Sequence, residues 1–222
     1  MEEKKHIVHS FETELGSLVS SLSALGEMVV SMIEFSQKSL SNGSQLLKEE
    51  AKMRDKKINE LYRSIDDSAI TILALRTPVA IDLRFVVAVI KIAALYEKMA
   101  DRAKSIISNC CRIHIAIPED IQKQIIKMNE EIINMVKEIN KNLVEYNFPK
   151  LKQVFDNDDK VDDYYDNLLN QIINSEKEIC NHPESLVALV YIIKSYERIG
   201  DYAIKIVRQL YYVQAGEIKT KI

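Results

Sequence analysis

Two short segments of this chain are near copies of each other, and each carries two carboxylates four residues apart. The pairs are Glu97 with Asp101 and, in the second copy, Glu197 with Asp201. On a helix this spacing places both acids on one face, where like charges repel by a few tenths of a kcal/mol. Because the unfavourable pair occurs in both copies, we expect a cation to compensate it in each.

Two other segments offer oxygen-bearing side chains at the same spacing. They are Asp55 with Asn59 and, in the second half, Asp158 with Asp162. If the helices that carry them lie antiparallel to the helices of the repeated pairs, an oxygen-lined site forms in each half. Oxygen ligands suit hard cations. The sequence therefore predicts a divalent or ferric ion (Fe, Mn, Mg or Ca) at each site, with all these residues as candidate metal ligands.

The acids also have a simpler interpretation as members of surface salt bridges. Lys98, Arg102 and Arg198 alternate with them in the sequence, and exposed ion pairs are common and contribute little to stability. The neighbouring Ala100 and Gly200 are small, however, and would let another helix approach the acids closely. Both interpretations stay open on the sequence.

A third interpretation is a carboxylate-bridged metal oxidase, which would need histidines at both sites. Glu3 and His6 show the Glu-x-x-His spacing, but only once and near the N-terminus. Glu178 and His182 are four residues apart, and His182 precedes a proline. The motifs of common nucleotide-binding proteins, zinc proteases and serine hydrolases are absent. We expect no enzymatic activity.

The segments that carry the acids show the apolar periodicity of helices. The chain has 5 Gly and 4 Pro among 222 residues, too few for the turns of an all-β fold, so long helices are favoured. The sequence predicts helices over about residues 7–40, 45–76, 80–114 and 118–146, a fifth after the break at 147–149 that ends near 180, and a sixth from 183 to about 214.

The predicted helices form two similar sets of three. Tyr62 and Tyr165 are 103 residues apart, as are Asn59 and Asp162, whereas the two Glu-x-x-x-Asp pairs are 100 residues apart. An offset that stays constant and changes once, at a loop, is typical of a duplicated unit. We therefore predict an all-α fold of two tandem antiparallel three-helix bundles, with domains at residues 1–115 and 116–222.

Composition narrows the class of protein. The net charge of −3 argues against nucleic acid as the main partner. Cys110, Cys111 and Cys180 are an odd count without a CxxC spacing, which fits a reduced cytoplasmic protein. The N-terminus lacks the apolar core of a secretory signal. The best apolar run, residues 85–90, is too short to span a bilayer.

The segment YERIGDYAIKI at residues 196–206 closely resembles the second signature of the PhoU family, phosphate-transport regulatory proteins of bacteria and archaea. Residues 74–84 resemble the family's loop into its third helix, and the stretches at 55–59 and 161–162 also fit. The resemblance covers nearly the whole chain. It implies six helices in two bundles, frequent homodimers, and multinuclear metal clusters at the acidic motifs in some members.

The resemblance also implies a function. Such a protein is a negative regulator of the phosphate response: it relays the state of a phosphate ABC transporter to a membrane sensor histidine kinase and restrains uptake when phosphate is plentiful. It would be cytoplasmic and would reach the inner face of the membrane through its partner proteins.

The chain departs from the family pattern at several positions. Lys98 stands where Arg is usual and Met-Ala follows it in place of Ile-Gly, while Tyr202 and Lys205 replace a common His and a common Asn. The carboxylates are kept in both copies, so the departures concern partner contacts more than metal binding. A helical metal-binding protein without a regulatory role and a purely structural adaptor are the alternatives.

Overall fold

Six long helices follow one another along the chain. The computed structural model describes residues 2–41, 43–145, 148–175, 179 and 181–216, with side chains described from residue 11 onward except at 144–145 and 148–150. Within these residues there is no strand. The helices are α1 (Glu2–Ser41), α2 (Gln45–Arg76), α3 (Ala80–Cys110), α4 (Glu119–Glu145), α5 (Phe148–Asn174) and α6 (Pro183–Ala215).

Helix ends lie where the local residues can satisfy or stop a helical backbone. Ser44 precedes α2, and its hydroxyl accepts a hydrogen bond from the backbone N–H of Leu47. Pro183 opens α6, where its missing N–H leaves no bond unmade. Gly216 follows α6 with a φ of 73°, a left-handed conformation that glycine adopts without steric penalty. The predicted end of the sixth helix near residue 214 is confirmed.

The helices pack as two sets of three, and the predicted all-α fold of tandem antiparallel three-helix bundles is confirmed. Helices α1, α2 and α3 contact one another, as do α4, α5 and α6. The two bundles meet where α3 packs against α6 and α1 against α4, and one cluster of buried apolar side chains runs through both. The domain boundary predicted after residue 115 falls between α3 and α4 and stays a prediction.

Three predicted helix bounds were wrong. Helix α1 begins at Glu2 rather than near residue 7. Helix α3 ends at Cys110 rather than near residue 114, because Ile113, Ile115 and Ile117 are partly buried while His114 is exposed between them. That alternation suits extended chain, in which neighbouring side chains point to opposite sides.

Helix α5 ends at Asn174 rather than near residue 180. The Asn174 side chain donates to the carbonyl of Asn170 at 2.9 Å, and the Ser175 hydroxyl donates to that of Ile172 at 2.7 Å. The Ser175 hydroxyl thus satisfies a carbonyl that a longer helix would bond to a backbone N–H. Cys180 lies outside the described residues.

Helix α1 has the strongest membrane-like composition among the described residues. Over Phe11–Ser41 it is long and apolar enough to cross a bilayer, so the expectation that residues 85–90 are the best apolar run was wrong. Serines and glycines interrupt its apolar residues without adding charge, which hides the length of the run in the sequence. Half of the most apolar 18-residue stretch of this helix is buried in the bundle, as expected for a core helix. Its composition alone is therefore a weak argument for a membrane span.

Two acidic clusters as candidate cation sites

The structure brings the predicted oxygen side chains together in each bundle. The first cluster lies between α2 and α3 and the second between α5 and α6. The first cluster consists of Asp55, Asn59, Glu97 and Asp101, and the second of Asp158, Asp162, Glu197 and Asp201. The antiparallel packing of neighbouring helices is what brings the two pairs of each bundle face to face.

The ammonium of Lys104 lies inside the first cluster. Its Nζ is 2.8 Å from Asp55 Oδ2 on α2 and 2.8 Å from Asp101 Oδ1 on its own helix, α3. Asn59 donates from Nδ2 to the same Asp55 oxygen at 3.3 Å. Burial opposes the charge of Lys104, but the hydrogen bonds to Asp101 and Asp55 outweigh it and raise the lysine pKa. One protein cation therefore joins the two helices of this cluster.

Glu97 lies beside this ion pair and makes no ion pair with Lys104. Burial raises its pKa, and the nearby charges of Asp101 and Asp55 raise it further, against the opposing effect of Lys104 and Lys98. The first cluster thus has carboxylates in excess of the one ammonium that bridges them.

The second cluster is more acidic on the α5 side. Asp162 stands where the first cluster has Asn59. Burial raises the pKa of Asp158 to about 7, with further contributions from Asp162, Asp201, Asp159 and Glu197. Burial raises the pKa of Asp162 as well, followed by the charges of Glu197 and Asp201. The fold therefore holds several carboxylates close enough to oppose one another's ionisation.

The cations of the second cluster come from α6 itself. Lys194 Nζ is 2.8 Å from Glu197 Oε1 and lies over the ring of Tyr165 on α5, 4.6 Å from its centroid. Arg198 Nη1 is 2.9 Å from Asp201 Oδ2. Among the described residues, Asp158 and Asp162 make no ion pair, so no side-chain cation pairs with the α5 carboxylates of this cluster.

One carboxylate oxygen in the second cluster is buried without a hydrogen-bond partner. Glu197 is 13% exposed, and its Oε2 makes no hydrogen bond, with the Arg198 Nε at 3.8 Å. A buried oxygen of this kind is costly unless something satisfies it. The second cluster therefore fits a hard cation by its donor set, although no group of three or more His, Cys, Asp or Glu side chains among the described residues is arranged to hold a metal ion.

The predicted close approach at Gly200 is confirmed. A Cβ added there would lie 3.1 Å from Asp158 Oδ1 and 3.4 Å from Val161 Cγ1. Helix α5 thus packs against the glycine backbone of α6, and this contact holds the Asp158 carboxylate against the helix that carries Glu197. Asp158 and Gly200 therefore form part of the same contact between α5 and α6.

The predicted salt-bridge partners were partly right. Arg198 pairs with the acids of its own helix, whereas Lys98 and Arg102 make no ion pair among the described side chains. The cations that lie in the clusters, Lys104 and Lys194, were missed. At the offset of 100 residues Ile204 and Ala94 occupy the corresponding positions, so the sequence shows that the two copies differ at these lysines but not which acid each lysine contacts.

The histidine motifs lie away from the clusters or outside the described residues. His182 is exposed immediately before α6, and its predicted partner Glu178 lies outside the described residues, as do the side chains of Glu3 and His6. Neither cluster contains a histidine among the residues that the structure describes.

These features define a class: an all-helical protein made of two similar three-helix bundles, with an acidic cluster between the second and third helix of each. The sequence model of the PhoU domain matches residues 22–110 and 125–210. The chain belongs to the PhoU family.

The relatives are similar over almost their whole length. A phosphate-specific transport system accessory protein PhoU homologue of Clostridium acetobutylicum is 28% identical over 208 residues, 93% of this chain and 95% of the relative. The PhoU accessory protein of Escherichia coli is 24% identical over 96% of this chain and 88% of its own. The crystal structure of the phosphate transport system regulatory protein PhoU of Streptococcus pneumoniae has the same fold, with a TM-score of 0.86 at 24% identity, covering 95% of this chain and all of that one.

Proposed function

We propose that this chain is an accessory protein of a phosphate-specific transport system and a negative regulator of the phosphate response. It couples a phosphate ABC transporter to a sensor histidine kinase and restrains uptake when phosphate is plentiful. The observation that carries the proposal is the PhoU-domain match in both bundles, together with relatives of that name that match 93% and 96% of this chain.

In this proposal the protein has no catalytic role and works through contacts. It is cytoplasmic, forms homodimers and reaches the inner face of the membrane through its partner proteins. The relatives are named as accessory proteins, which supports a role without catalysis. The net charge of −3 supports protein partners rather than nucleic acid.

An exposed apolar surface at the junction of α2 and α3 supports partner binding. Leu75 at the end of α2 is 74% exposed, and Val79 just before α3 is 72% exposed. Ile81 and Leu83 in the first turn of α3 are exposed as well. Adjacent exposed apolar side chains of this kind are typical of interaction surfaces. We propose that this junction contacts the transporter or the kinase.

We also propose a divalent or ferric ion (Fe, Mn, Mg or Ca) at the second cluster. Asp158, Asp162, Glu197 and Asp201 would hold it, and the ion would supply positive charge between α5 and α6. The oxygen-only donor set and the buried Glu197 Oε2, which makes no hydrogen bond, support this assignment. The first cluster differs, because Lys104 already lies between its carboxylates.

The regulatory proposal is tested by recovery of partners from membranes of phosphate-replete cells. The tagged full chain should retain a phosphate-transporter ATPase or a sensor kinase, and a chromosomal deletion should raise phosphate uptake in replete medium. The proposal is contradicted if phosphate uptake is unchanged in the deletion strain and neither partner is found in the recovered fraction.

A matched pair of variants tests the proposed surface. Val79→Asp should lower partner recovery at least tenfold, and since Asp is a favourable residue before a helix, the protein should keep its fold. Leu46→Asp is the control, because Leu46 is 83% exposed at the opposite end of α2. Equal recovery with both variants would place the partner surface elsewhere.

The ion pairs at both clusters favour a second candidate, a structural adaptor whose acids only stabilise the bundles. It predicts that Glu197→Gln changes the melting temperature and leaves partner recovery and metal content at the values of the unmodified protein. No observation on the described residues favours the carboxylate-bridged oxidase.

A further inference from the structure

The two acidic clusters occupy equivalent places and differ in the cation that the protein supplies. In the first cluster the Lys104 ammonium is 2.8 Å from a carboxylate on each of two helices, α2 and α3. The pair is well shielded, since Lys104 is 29% exposed and Asp55 is 15% exposed. The lysine therefore fills the space between the helices where a bound cation would bridge the same carboxylates.

The second cluster has no cation at the corresponding position. Lys104 matches Ile204 at the offset of 100 residues, and Ile204 is buried among apolar residues. Lys194 and Arg198 both pair with acids of their own helix, α6. Among the described residues no ion pair joins α5 to α6, and the carboxylates on α5 have no ion-pair partner.

We propose that Lys104 is the built-in cation of the first cluster, so that the first bundle needs no bound metal ion and only the second cluster takes a hard cation from solution. The duplicated fold thus holds one permanent and one exchangeable cation. The part of this inference that concerns the second cluster rests on the proposed metal binding, whereas the role of Lys104 does not.

Substitutions at equivalent acids test which cluster binds a cation. The full chain is stripped of metal with a chelator, dialysed, and titrated with Mn²⁺, with bound metal measured by elemental analysis. Asp158→Asn should weaken Mn²⁺ binding at least tenfold, whereas Asp55→Asn should leave it unchanged. An equal loss in both variants would overturn the proposal, because it would mean that both clusters bind metal.

Removal of the lysine tests its role directly. Lys104→Met keeps the aliphatic stem and should lower the melting temperature of the metal-free protein, and Mn²⁺ should restore part of that loss and bind in excess of the unmodified protein. Lys98→Met is the control: it removes the same charge from the same helix at an exposed lysine that makes no ion pair with the cluster. Identical melting temperatures and Mn²⁺ responses in the two lysine variants would overturn the role of Lys104.

The outcomes separate the two proposals. If the unmodified chain binds no Mn²⁺ but Lys104→Met is destabilised relative to Lys98→Met and gains Mn²⁺ binding, the metal part of the proposed function fails and the built-in cation is supported. If Lys104→Met does not fold, the Asp55 and Asp158 variants still decide whether the clusters differ.

Discussion

At the scale of single residues, Asp158 is a carboxyl whose ionisation the fold opposes. Its pKa is raised from 3.8 to about 7, by burial first and then by the neighbouring acids. The folded state therefore binds a proton that the unfolded state releases between pH 4 and 7, and stability falls as the pH rises through this window. Above pH 7 the full penalty is present.

Asp158→Asn should therefore stabilise the metal-free protein above pH 7. We expect a gain of about 1–2 kcal/mol after allowance for the solvent that reaches this side chain, and the gain should disappear towards pH 4. Chemical unfolding in the presence of a chelator at several pH values measures it. Asp163→Asn, at an exposed acid of the same helix, is the control. A gain that does not depend on pH would show that ionisation of Asp158 is not its cause.

The acids of both clusters could be predicted from the sequence, because a spacing of four on a helix fixes which side chains share a face. Their cations could not be predicted in the same way. Lys104 reaches across to α2, and whether a lysine turns to an acid on another helix or to solvent depends on packing between helices. Lys104 contacts Asp55, whose side chain is only 15% exposed. The pattern of charges along the sequence does not show which acids are buried between helices.

At the scale of helices, the contact between α5 and α6 depends on Gly200. Alanine is about 1 kcal/mol more favourable than glycine inside a helix, but a Cβ here would lie 3.1 Å from Asp158 Oδ1. Gly200→Ala should displace that carboxylate and weaken Mn²⁺ binding to the second cluster about tenfold, a change of about 1.4 kcal/mol. Its effect on the free energy of unfolding should be small, since the two contributions oppose each other.

Gly16→Ala provides the matched control for that variant. Gly16 lies in α1 with nothing within 4 Å of an added Cβ, so alanine should stabilise the protein by about 0.5–1 kcal/mol and leave Mn²⁺ binding unchanged. Titration and chemical unfolding of both variants measure the two effects. Equal Mn²⁺ affinity in the two variants would contradict a role for the glycine contact in holding Asp158.

Helix positions followed from periodicity, whereas the start of α1 and the ends of α3 and α5 did not. The start and end predicted for α2 agree with Gln45–Arg76, since a polar cap and a proline mark them. The end of α3 was missed because Ile113, Ile115 and Ile117 are apolar enough to continue a helical pattern. Their alternating burial arises from packing of the connection against the core, which periodicity within one helix cannot show.

At the scale of the whole molecule, buried polar contacts join the two bundles. Tyr96 on α3 donates a hydrogen bond to Asn140 on α4. At the equivalent position of the second bundle, Tyr196 on α6 shares a hydrogen bond of 3.0 Å with Ser36 on α1. Each tyrosine is buried and reaches the first helix of the other bundle. The duplicated sequence thus uses the same residue twice to connect the copies.

These two hydrogen bonds between the bundles predict that the bundles unfold together. Tyr196→Phe removes one hydrogen bond and leaves Ser36 bonded to the carbonyl of Ile33, so it should cost about 1 kcal/mol, or about 2–4 °C in melting temperature for a chain of this size. Native-state hydrogen exchange should show the slowest amides of α2 and α5 accelerated by the same factor of about five. Tyr191→Phe, at an exposed tyrosine of α6, should change neither. Faster exchange in α5 with α2 unaffected would mean that the bundles unfold independently, as two domains divided after residue 115 would. Equal acceleration in both helices is expected because the shared α3–α6 and α1–α4 contacts make the two bundles one cooperative unit.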